Sequence, residues 1–599
     1  MKNVRLVVLS LAAFAIATAG EARAQGKLNR FGNPPTVAPA PTSSAITVKD
    51  LQIRLYQFAD DSMQGRQIGR VGNKKGTAYI AAEMKRLGAV PAGDNGTYFQ
   101  VMPFHLRSFT SHSRLTVDGN PLAFDKDWVP VPGLRAPRTI SGATVIFGGV
   151  AGDTSRQITA AQANGKFVVL LPAPPSPAPA GPFGGRGGFG PQPTRLNGAV
   201  AVATINLDGL TPAQRAAINQ PTQASSSVMR TFGARPRAQT APPDSLTIMK
   251  QLVDMLQPQA NIRLTKAAAA RLFGRANFDG IPLGTTGGSV TASLDFIELP
   301  TDFARNVVAI IPGSDPVLKH QYVAIGAHND HVGVTTNPVD KDSVKAFNDI
   351  RNRLLLTNNM VALDAQKMAA IRVNMDSIRK AHPRPRLDSI RNGADDDGSG
   401  SMGVLEIAEY IASMKVKPKR STLFVWHTGE EAGLLGSAFF TSNPTVPMDS
   451  VVAQINIDMI GRGRAEDLPG GGPDYVGVIG SNFDSKDLGD EVLAVNKKQP
   501  KPLTLDFKFD TTISWSGYNN LYARSDHINY ARAGVPIAFF FTGLHGDYHQ
   551  LSDEPEFIDY PHYAKIANYL KDLTVAVGNG PRPRVNGTKP SRPPRTVQR

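Results

Sequence analysis

The chain has 599 residues, 41% hydrophobic and 19% charged, which is enough for a large core and for more than one domain. It contains no cysteine, which excludes disulfide bonds, thiolate metal ligands and a lipid anchor on cysteine. The formal net charge is +15, but part of it belongs to 579–599, a Pro- and Arg-rich segment that we expect to be a disordered basic tail. We therefore expect no nucleic acid partner.

The N-terminal segment has the three parts of a secretory signal. Basic residues in MKNVR precede the apolar run LVVLSLAAFAIATAG, and Ala22-Arg23-Ala24 forms an A-x-A cleavage site. We expect a signal peptide at 1–24 and export to the periplasm or the medium. The run is shorter than the roughly 20 residues of a spanning helix, and we expect no membrane span.

The rest of the chain divides by composition and periodicity. Residues 25–46 are rich in proline and predict a linker. Residues 47–129 begin with two predicted helices at 48–58 and 74–88. Residues 130–290 contain short β-type runs, GATVIFGG, KFVVLLP and AVAVATINLD, which predict a β-rich insert.

The segment 291–578 alternates buried strand-like runs with helical patterns. The runs are NVVAIIPG, YVAIGAH, TLFVWHT, AQINIDMI and VPIAFFFTG. This alternation predicts an α/β domain with its site at the carboxyl ends of the strands. Residues 332–392 interrupt it and predict a helical insertion.

Five segments place histidine or carboxylate side chains at strand ends or in the following loops. They are GAHNDH, GADDDGSG, HTGEEAGLLGS, INIDMIG and GDYHQLSD. Each alone has an ordinary explanation as a structural histidine, a solvated acidic loop or a helix cap. Together they offer imidazole and carboxylate ligands, which suit Zn²⁺, and one carboxylate can bridge two neighbouring zinc ions.

In this order the segments resemble the zinc exopeptidase family of the bacterial leucyl aminopeptidases, which includes relatives of glutamate carboxypeptidase and transferrin receptor. The resemblance covers about 300–555 and extends to 48–104. Residues 130–290 resemble, more loosely, an inserted protease-associated domain. It implies an α/β fold, a three-layer sandwich with a mixed central sheet, plus the β-rich insert.

The resemblance also implies two Zn²⁺ ions and their ligands, which are His328, Asp396, Glu431, Asp458 and His549. Asp396 would bridge the ions and lie next to a cis peptide bond with Asp397. His328 and Asp458 would bind one ion, and Glu431 and His549 the other.

Four further residues receive roles from the same resemblance. Glu430 would be the general base, Tyr522 would donate to the oxyanion, and Asp330 would orient His328. Asp397 would support the bridging acid. His331 and His527 also lie near the motifs, and we expect them to orient other groups or to pack.

The resulting prediction is an exported two-zinc aminopeptidase that acts on peptides. Carboxypeptidase action, glutaminyl cyclisation and a non-catalytic binding role in the same fold remain as alternatives. The sequence predicts neither the preferred N-terminal residue nor the oligomeric state.

Overall fold

The computed structural model describes residues 29, 31–131, 138–151, 153, 156–172, 196, 198–210, 222–224, 259–358, 360, 363, 365–511 and 521–586. The predicted signal peptide, and the predicted basic tail beyond residue 586, lie outside the described residues. None of the described helices is both long and apolar enough to cross a membrane.

Twenty-two strands are described. In chain order they are β1 (Val90–Pro91), β2 (Phe99–Val101), β3 (Phe104–Phe109), β4 (Arg114–Val117), β5 (Asn120–Leu122), β6 (Trp128–Val131), β7 (Thr139–Val150), β8 (Phe167–Leu171), β9 (Ala201–Ile205), β10 (Thr222–Ala224), β11 (Ala260–Leu264), β12 (Thr286–Ser293), β13 (Phe296–Thr301), β14 (Arg305–Ile311), β15 (Tyr322–His328), β16 (Val334–Asp340), β17 (Leu387–Ile390), β18 (Ser421–His427), β19 (Val451–Ile457), β20 (Tyr475–Ile479), β21 (Thr504–Asp506) and β22 (Ile537–Phe541).

The α-helices connect and cover these strands. They are α1 (Val48–Phe58), α2 (Val71–Arg86), α3 (Ala160–Ala163), α4 (Lys266–Leu272), α5 (Lys341–Thr357), α6 (Ala365–Ala369), α7 (Met375–Ala381), α8 (Gly400–Ser413), α9 (Leu435–Ser442), α10 (Ser481–Asp484), α11 (Lys486–Lys497), α12 (Lys508–Thr511), α13 (His527–Arg532) and α14 (Tyr560–Asn579). The predicted helices at 48–58 and 74–88 correspond to α1 and α2.

The main sheet has nine strands in the order β1-β14-β18-β15-β19-β22-β20-β21, and β2 also pairs with β14. Strands β18, β15, β19 and β22 run parallel to one another. Strands β14 and β20 are antiparallel to their neighbours β18 and β22. The predicted mixed sheet is confirmed, and the carboxyl ends of the four parallel strands meet at one edge.

Helices cover both faces of the main sheet. Val307 of β14 belongs to a core that includes side chains of α1, α2, α8 and α14, whereas the next residue, Val308, belongs to a second core with side chains of α9 and α13. All seven residues of β18 are buried, because a strand covered on both faces has no solvent side. The result is the predicted three-layer α/β sandwich.

A separate eight-stranded sheet has the order β5-β4-β12-β7-β8-β9-β11-β6 and its own apolar core. Two of its strands, β4 and β5, precede residue 130, where we expected the β-rich insert to begin, and β6 starts at Trp128. They belong to this sheet because Leu115, Leu122 and Trp128 complete its core. Strands β10, β3 and β13 form a small third sheet.

The insertion at 332–392 contains helices α5 to α7 and a two-stranded sheet of β16 and β17. Helix α5 buries a polar face that includes Lys345, Asn348 and Arg351. A buried polar face needs partners, and the loop after β22 supplies them, as described below.

Candidate metal centre

The predicted ligands lie at the carboxyl edge of the parallel strands. His328 is the last residue of β15, and Asp458 directly follows β19. Glu431 lies in the loop after β18, and His549 in the loop after β22. The fold therefore brings together side chains that lie up to 221 positions apart in the sequence, as open α/β sheets do at their binding edge.

One group that could hold a metal ion consists of His328, Asp396 and Asp458. The Nε2 atom of His328 lies 3.1 Å from Oδ1 of Asp396 and 3.6 Å from Oδ1 of Asp458. All three residues are buried. These are the residues expected to bind the first ion.

A second group consists of His331, Asp396, Glu431 and His549. The Nε2 atom of His549 lies 3.0 Å from Oδ2 of Asp396 and 2.9 Å from Oε2 of Glu431. Nδ1 of His331 lies 2.9 Å from Oε1 of Glu431. Asp396 thus presents Oδ1 to one group and Oδ2 to the other.

The donor atoms are poorly satisfied by hydrogen bonds to one another, and their chemistry suits a metal ion. Both ring nitrogens of His331, Nε2 of His549, Oδ2 of Asp396 and both carboxylate oxygens of Glu431 are buried without a hydrogen bond of good geometry. Such atoms are costly to bury unpaired. Imidazole nitrogens and carboxylate oxygens converging within 4.8 Å are a donor set that suits zinc.

Attraction between the imidazoles and the carboxylates shifts the pKa values of the cluster. Burial alone would lower the pKa of His549, but the carboxylates of Glu431 and Asp396 outweigh burial and raise it to about 10. Burial also lowers the pKa of His328, yet Asp458 and its neighbours raise it well above its ordinary value. Metal binding would therefore release protons from these imidazoles.

The turn that carries Asp396 is fixed by its neighbours. The peptide bond between Asp396 and Asp397 is cis, as expected. The Asp397 carboxylate accepts hydrogen bonds from the backbone N–H groups of His328 (3.0 Å), Gly400 (2.8 Å) and Met459 (3.1 Å). It thus ties the turn to the strand ends that carry the ligands.

Asp330 contacts His328 more closely through its backbone than through the carboxylate that we expected to orient the imidazole. Its backbone carbonyl oxygen lies 3.1 Å from Nδ1 of His328, whereas its carboxylate lies 3.7 Å away. The carboxylate also accepts the backbone N–H of Glu430 at 3.1 Å. Asp330 therefore joins the first ligand to the loop of the predicted base.

Glu430 is buried beside the ligands but belongs to neither of the two groups found among the described residues. Burial raises the pKa of this carboxyl well above its ordinary value, and the carboxylates of Glu431 and Asp458 add to the effect, against the opposing influence of His328. A raised pKa strengthens a carboxylate as a proton acceptor, so the surroundings of Glu430 are compatible with the role of general base expected from the sequence.

The structure gives no support to the role expected for Tyr522. Its hydroxyl donates a 2.7 Å hydrogen bond to Asp484, and its ring packs against Phe483. The proton expected at the oxyanion is thus directed to Asp484. His527 packs as expected, since its ring stacks on Phe539 and burial lowers its pKa to about 3.

The insertion holds the loop that carries His549. Lys345 of α5 lies 2.9 Å from Oδ2 of Asp547, and Asn348 donates to the Ser552 hydroxyl at 2.9 Å. Arg351 donates to the backbone carbonyl of Gly546 at 2.6 Å. The buried polar face of α5 thus positions the loop on both sides of the histidine.

Comparison with known proteins agrees with this geometry. Residues 306–574 match the model of peptidase family M28. A probable leucine aminopeptidase of Arthroderma otae is 31% identical over 212 residues, covering 35% of this chain and 52% of the relative. Leucine aminopeptidase 1 of Sclerotinia sclerotiorum is 33% identical over 189 residues, covering 30% and 46%. The chain spans about half the length of these curated relatives.

Among solved structures, a zinc aminopeptidase from Bacillus subtilis is similar at 16% identity and a TM-score of 0.46, covering 89% of this chain and 95% of the neighbour. The match of the family model includes every residue of the two donor groups. The family resemblance stated from the motifs is confirmed by this match of residues 306–574 to the model of peptidase family M28.

Proposed function

We propose that this chain is an exported aminopeptidase that binds two zinc ions and removes N-terminal residues from peptides. One observation carries the proposal: Asp396 directs one carboxylate oxygen to each of two buried donor groups. A carboxylate shared in this way is what a two-metal site needs. The N-terminal segment with its A-x-A site supports export to the periplasm or the medium.

The first group would hold one ion through His328 and Asp458, and the second would hold the other through Glu431 and His549, with Asp396 between them. When bound, zinc supplies Lewis acidity, which eases the loss of a proton from water and polarises a peptide carbonyl. The remaining chemistry falls to the residues around the two groups.

We assign the proton transfer to Glu430, which is buried beside the two donor groups. Its carboxylate accepts a proton from the attacking water while the water oxygen bonds to the carbonyl carbon, and it passes that proton to the amine nitrogen as the C–N bond breaks. Water is thereby added across the peptide bond, and Glu430 returns to its starting state. Proton transfer of this kind typically contributes about 10² to 10⁴ in rate.

The names of the relatives favour aminopeptidase action over its alternatives. The relatives from Arthroderma otae and Sclerotinia sclerotiorum are both named leucine aminopeptidases. An aminopeptidase requires a free amino group on its substrate, whereas a carboxypeptidase requires a free carboxylate. A glutaminyl cyclase would act only on an N-terminal glutamine.

The test compares three substrates with purified mature protein: leucine p-nitroanilide, its N-acetylated form, and an N-acetylated dipeptide. We expect hydrolysis of the first alone, loss of activity with chelator, and recovery with zinc. Glu430→Gln should keep the zinc content and lose at least a hundredfold in kcat, whereas Glu431→Gln should lose zinc. Hydrolysis of the blocked dipeptide would favour a carboxypeptidase, and zinc binding without any turnover would favour a binding protein.

A further inference from the structure

His331 lies three residues after the ligand His328 and is fully buried. Its Nδ1 atom lies 2.9 Å from Oε1 of Glu431 and 3.6 Å from Oδ2 of Asp396. Its ring meets the ring of His549 edge to face, with centroids 5.5 Å apart. His331 thus faces the same two carboxylates as His549 does.

The fold makes room for this imidazole. The backbone of Gly393 passes so close that a Cβ atom there would lie 2.5 Å from Cγ of the His331 ring. Gly393 also has a φ of +56°, in the left-handed region that favours glycine. A residue without a side chain therefore lies where the ring enters the cluster.

A packing role leaves the ring unexplained. Among the described residues neither nitrogen of His331 makes a hydrogen bond of good geometry, although Nδ1 lies near the Glu431 carboxylate. By contrast, the buried His427 places Nε2 3.0 Å from the Tyr530 hydroxyl, and His527 places Nε2 3.0 Å from the carbonyl oxygen of Tyr522. Burial of an imidazole whose nitrogens lack well-formed hydrogen bonds is unfavourable, unless one of them binds an ion.

We propose that His331 is a protein ligand of the metal held by Glu431 and His549, an inference that rests on the proposed two-zinc function. This site then has four protein donors, since Asp396 also contributes, while the site of His328 and Asp458 has three. Zinc sites with four protein ligands are closed, whereas sites with three keep one position for a substrate or solvent molecule.

The two ions consequently differ in role. The ion at the His331 site is retained and holds the Asp396 carboxylate in place, and the ion at the His328 site exchanges and offers the position where substrate enters. We expect zinc to leave the wild-type protein in two steps during dialysis against chelator, with the slow step belonging to the four-donor site.

The test measures zinc per chain by mass spectrometry, and zinc affinity by competition with a chromophoric chelator, for wild type, His331→Ala and His331→Gln. Both variants should lose the slow step, and their affinity at that site should fall by more than about a hundredfold. That exceeds the 10- to 100-fold typical of a residue that only orients a ligand. His527→Gln, which changes a buried histidine outside both groups, should release zinc as wild type does.

The outcomes separate this inference from the proposed function. Absence of zinc binding by wild type would overturn both. Two zinc ions with unchanged release and affinity in the His331 variants would overturn the inference alone. If the variants do not fold, zinc-edge anomalous diffraction from wild-type crystals decides: we expect a metal about 2.1 Å from a ring nitrogen of His331, and a metal beyond bonding distance from both nitrogens would refute the proposal.

Discussion

A buried ion pair supports the loop that carries His549, and its removal should be measurable. The Asp467 carboxylate accepts a 2.7 Å hydrogen bond from Arg462 and a 3.1 Å hydrogen bond from the backbone N–H of Gly463. Arg462 in turn lies 3.1 Å from Oδ2 of Asp547, two residues before His549. We therefore expect Asp467→Asn to destabilise the peptidase domain.

The magnitude follows from the pKa. Burial alone would raise the pKa of Asp467, but Arg462 outweighs it and lowers the pKa from 3.8 to about 2. Each pKa unit corresponds to about 1.4 kcal/mol, so the carboxylate contributes about 2 kcal/mol to the free energy of unfolding. Because the pKa is lower in the folded chain, the contribution is complete above pH 3.8 and disappears as the pH falls through about 2. About half should remain at pH 3.

The assay measures the urea unfolding of metal-free protein. Amide hydrogen exchange in β19 monitors unfolding of the main sheet. Asp467→Asn should lower the free energy of unfolding by about 2 kcal/mol at pH 7 and by about 1 kcal/mol at pH 3. Asp490→Asn, an exposed control in α11, should change it by less than about 0.5 kcal/mol. An equal loss for Asp467→Asn at both pH values would refute the electrostatic reasoning.

Three further predictions concern the metal and its supports. Ser525→Ala removes the hydroxyl that donates to Oδ2 of Asp458 at 2.8 Å. Zinc affinity should therefore fall about tenfold in a chelator competition assay, and unchanged affinity would show that Ser525 does not support the ligand. Lys345→Met breaks the contact with Asp547 and should likewise weaken zinc binding about tenfold, whereas the exposed Lys380→Met in α7 should not. Removal of zinc should lower the thermal unfolding temperature, because an ion present at about 1,000 times its Kd stabilises the folded chain by about 4 kcal/mol. Identical calorimetric transitions with and without zinc would contradict that expectation.

The main sheet was predictable because its strands are buried on both faces. The run YVAIGAH coincides with β15 from Tyr322 to His328, since a continuous Val- and Ile-rich run has few alternatives. The β-rich unit was harder to delimit. Its strands at 114–131 are short, and only their shared core with β12 and β7 assigns them to that sheet.

The convergence of the five predicted ligands could be inferred from motifs, but the surroundings of individual side chains could not. His331 was expected to orient other groups or to pack, although its H-x-x-H spacing with His328 after a strand end was a usable signal for a metal donor. Whether such a ring faces the carboxylates depends on the close approach of Gly393, which the sequence does not show. The partner of Tyr522 is Asp484, 38 positions earlier in the chain, and that pairing exists only in three dimensions.

The contacts of the insertion at 332–392 could not be predicted from the sequence either. Its sequence predicts helices, but the charged residues of α5 resemble an ordinary solvated face until their partners are known. Lys345 and Arg351 reach the loop around Asp547 and Gly546, so the insertion acts on the geometry of the centre from outside it. Only the folded chain assigns these cations to a buried interface.

The most direct test of the central claim is a zinc titration of metal-free protein, with the initial rate of leucine p-nitroanilide hydrolysis measured at each addition. We predict that the rate rises and reaches its plateau at two equivalents of zinc per chain, because Asp396 serves both donor groups. A plateau at one equivalent would contradict the two-zinc assignment, and absence of turnover at every zinc level would contradict the assignment as an aminopeptidase.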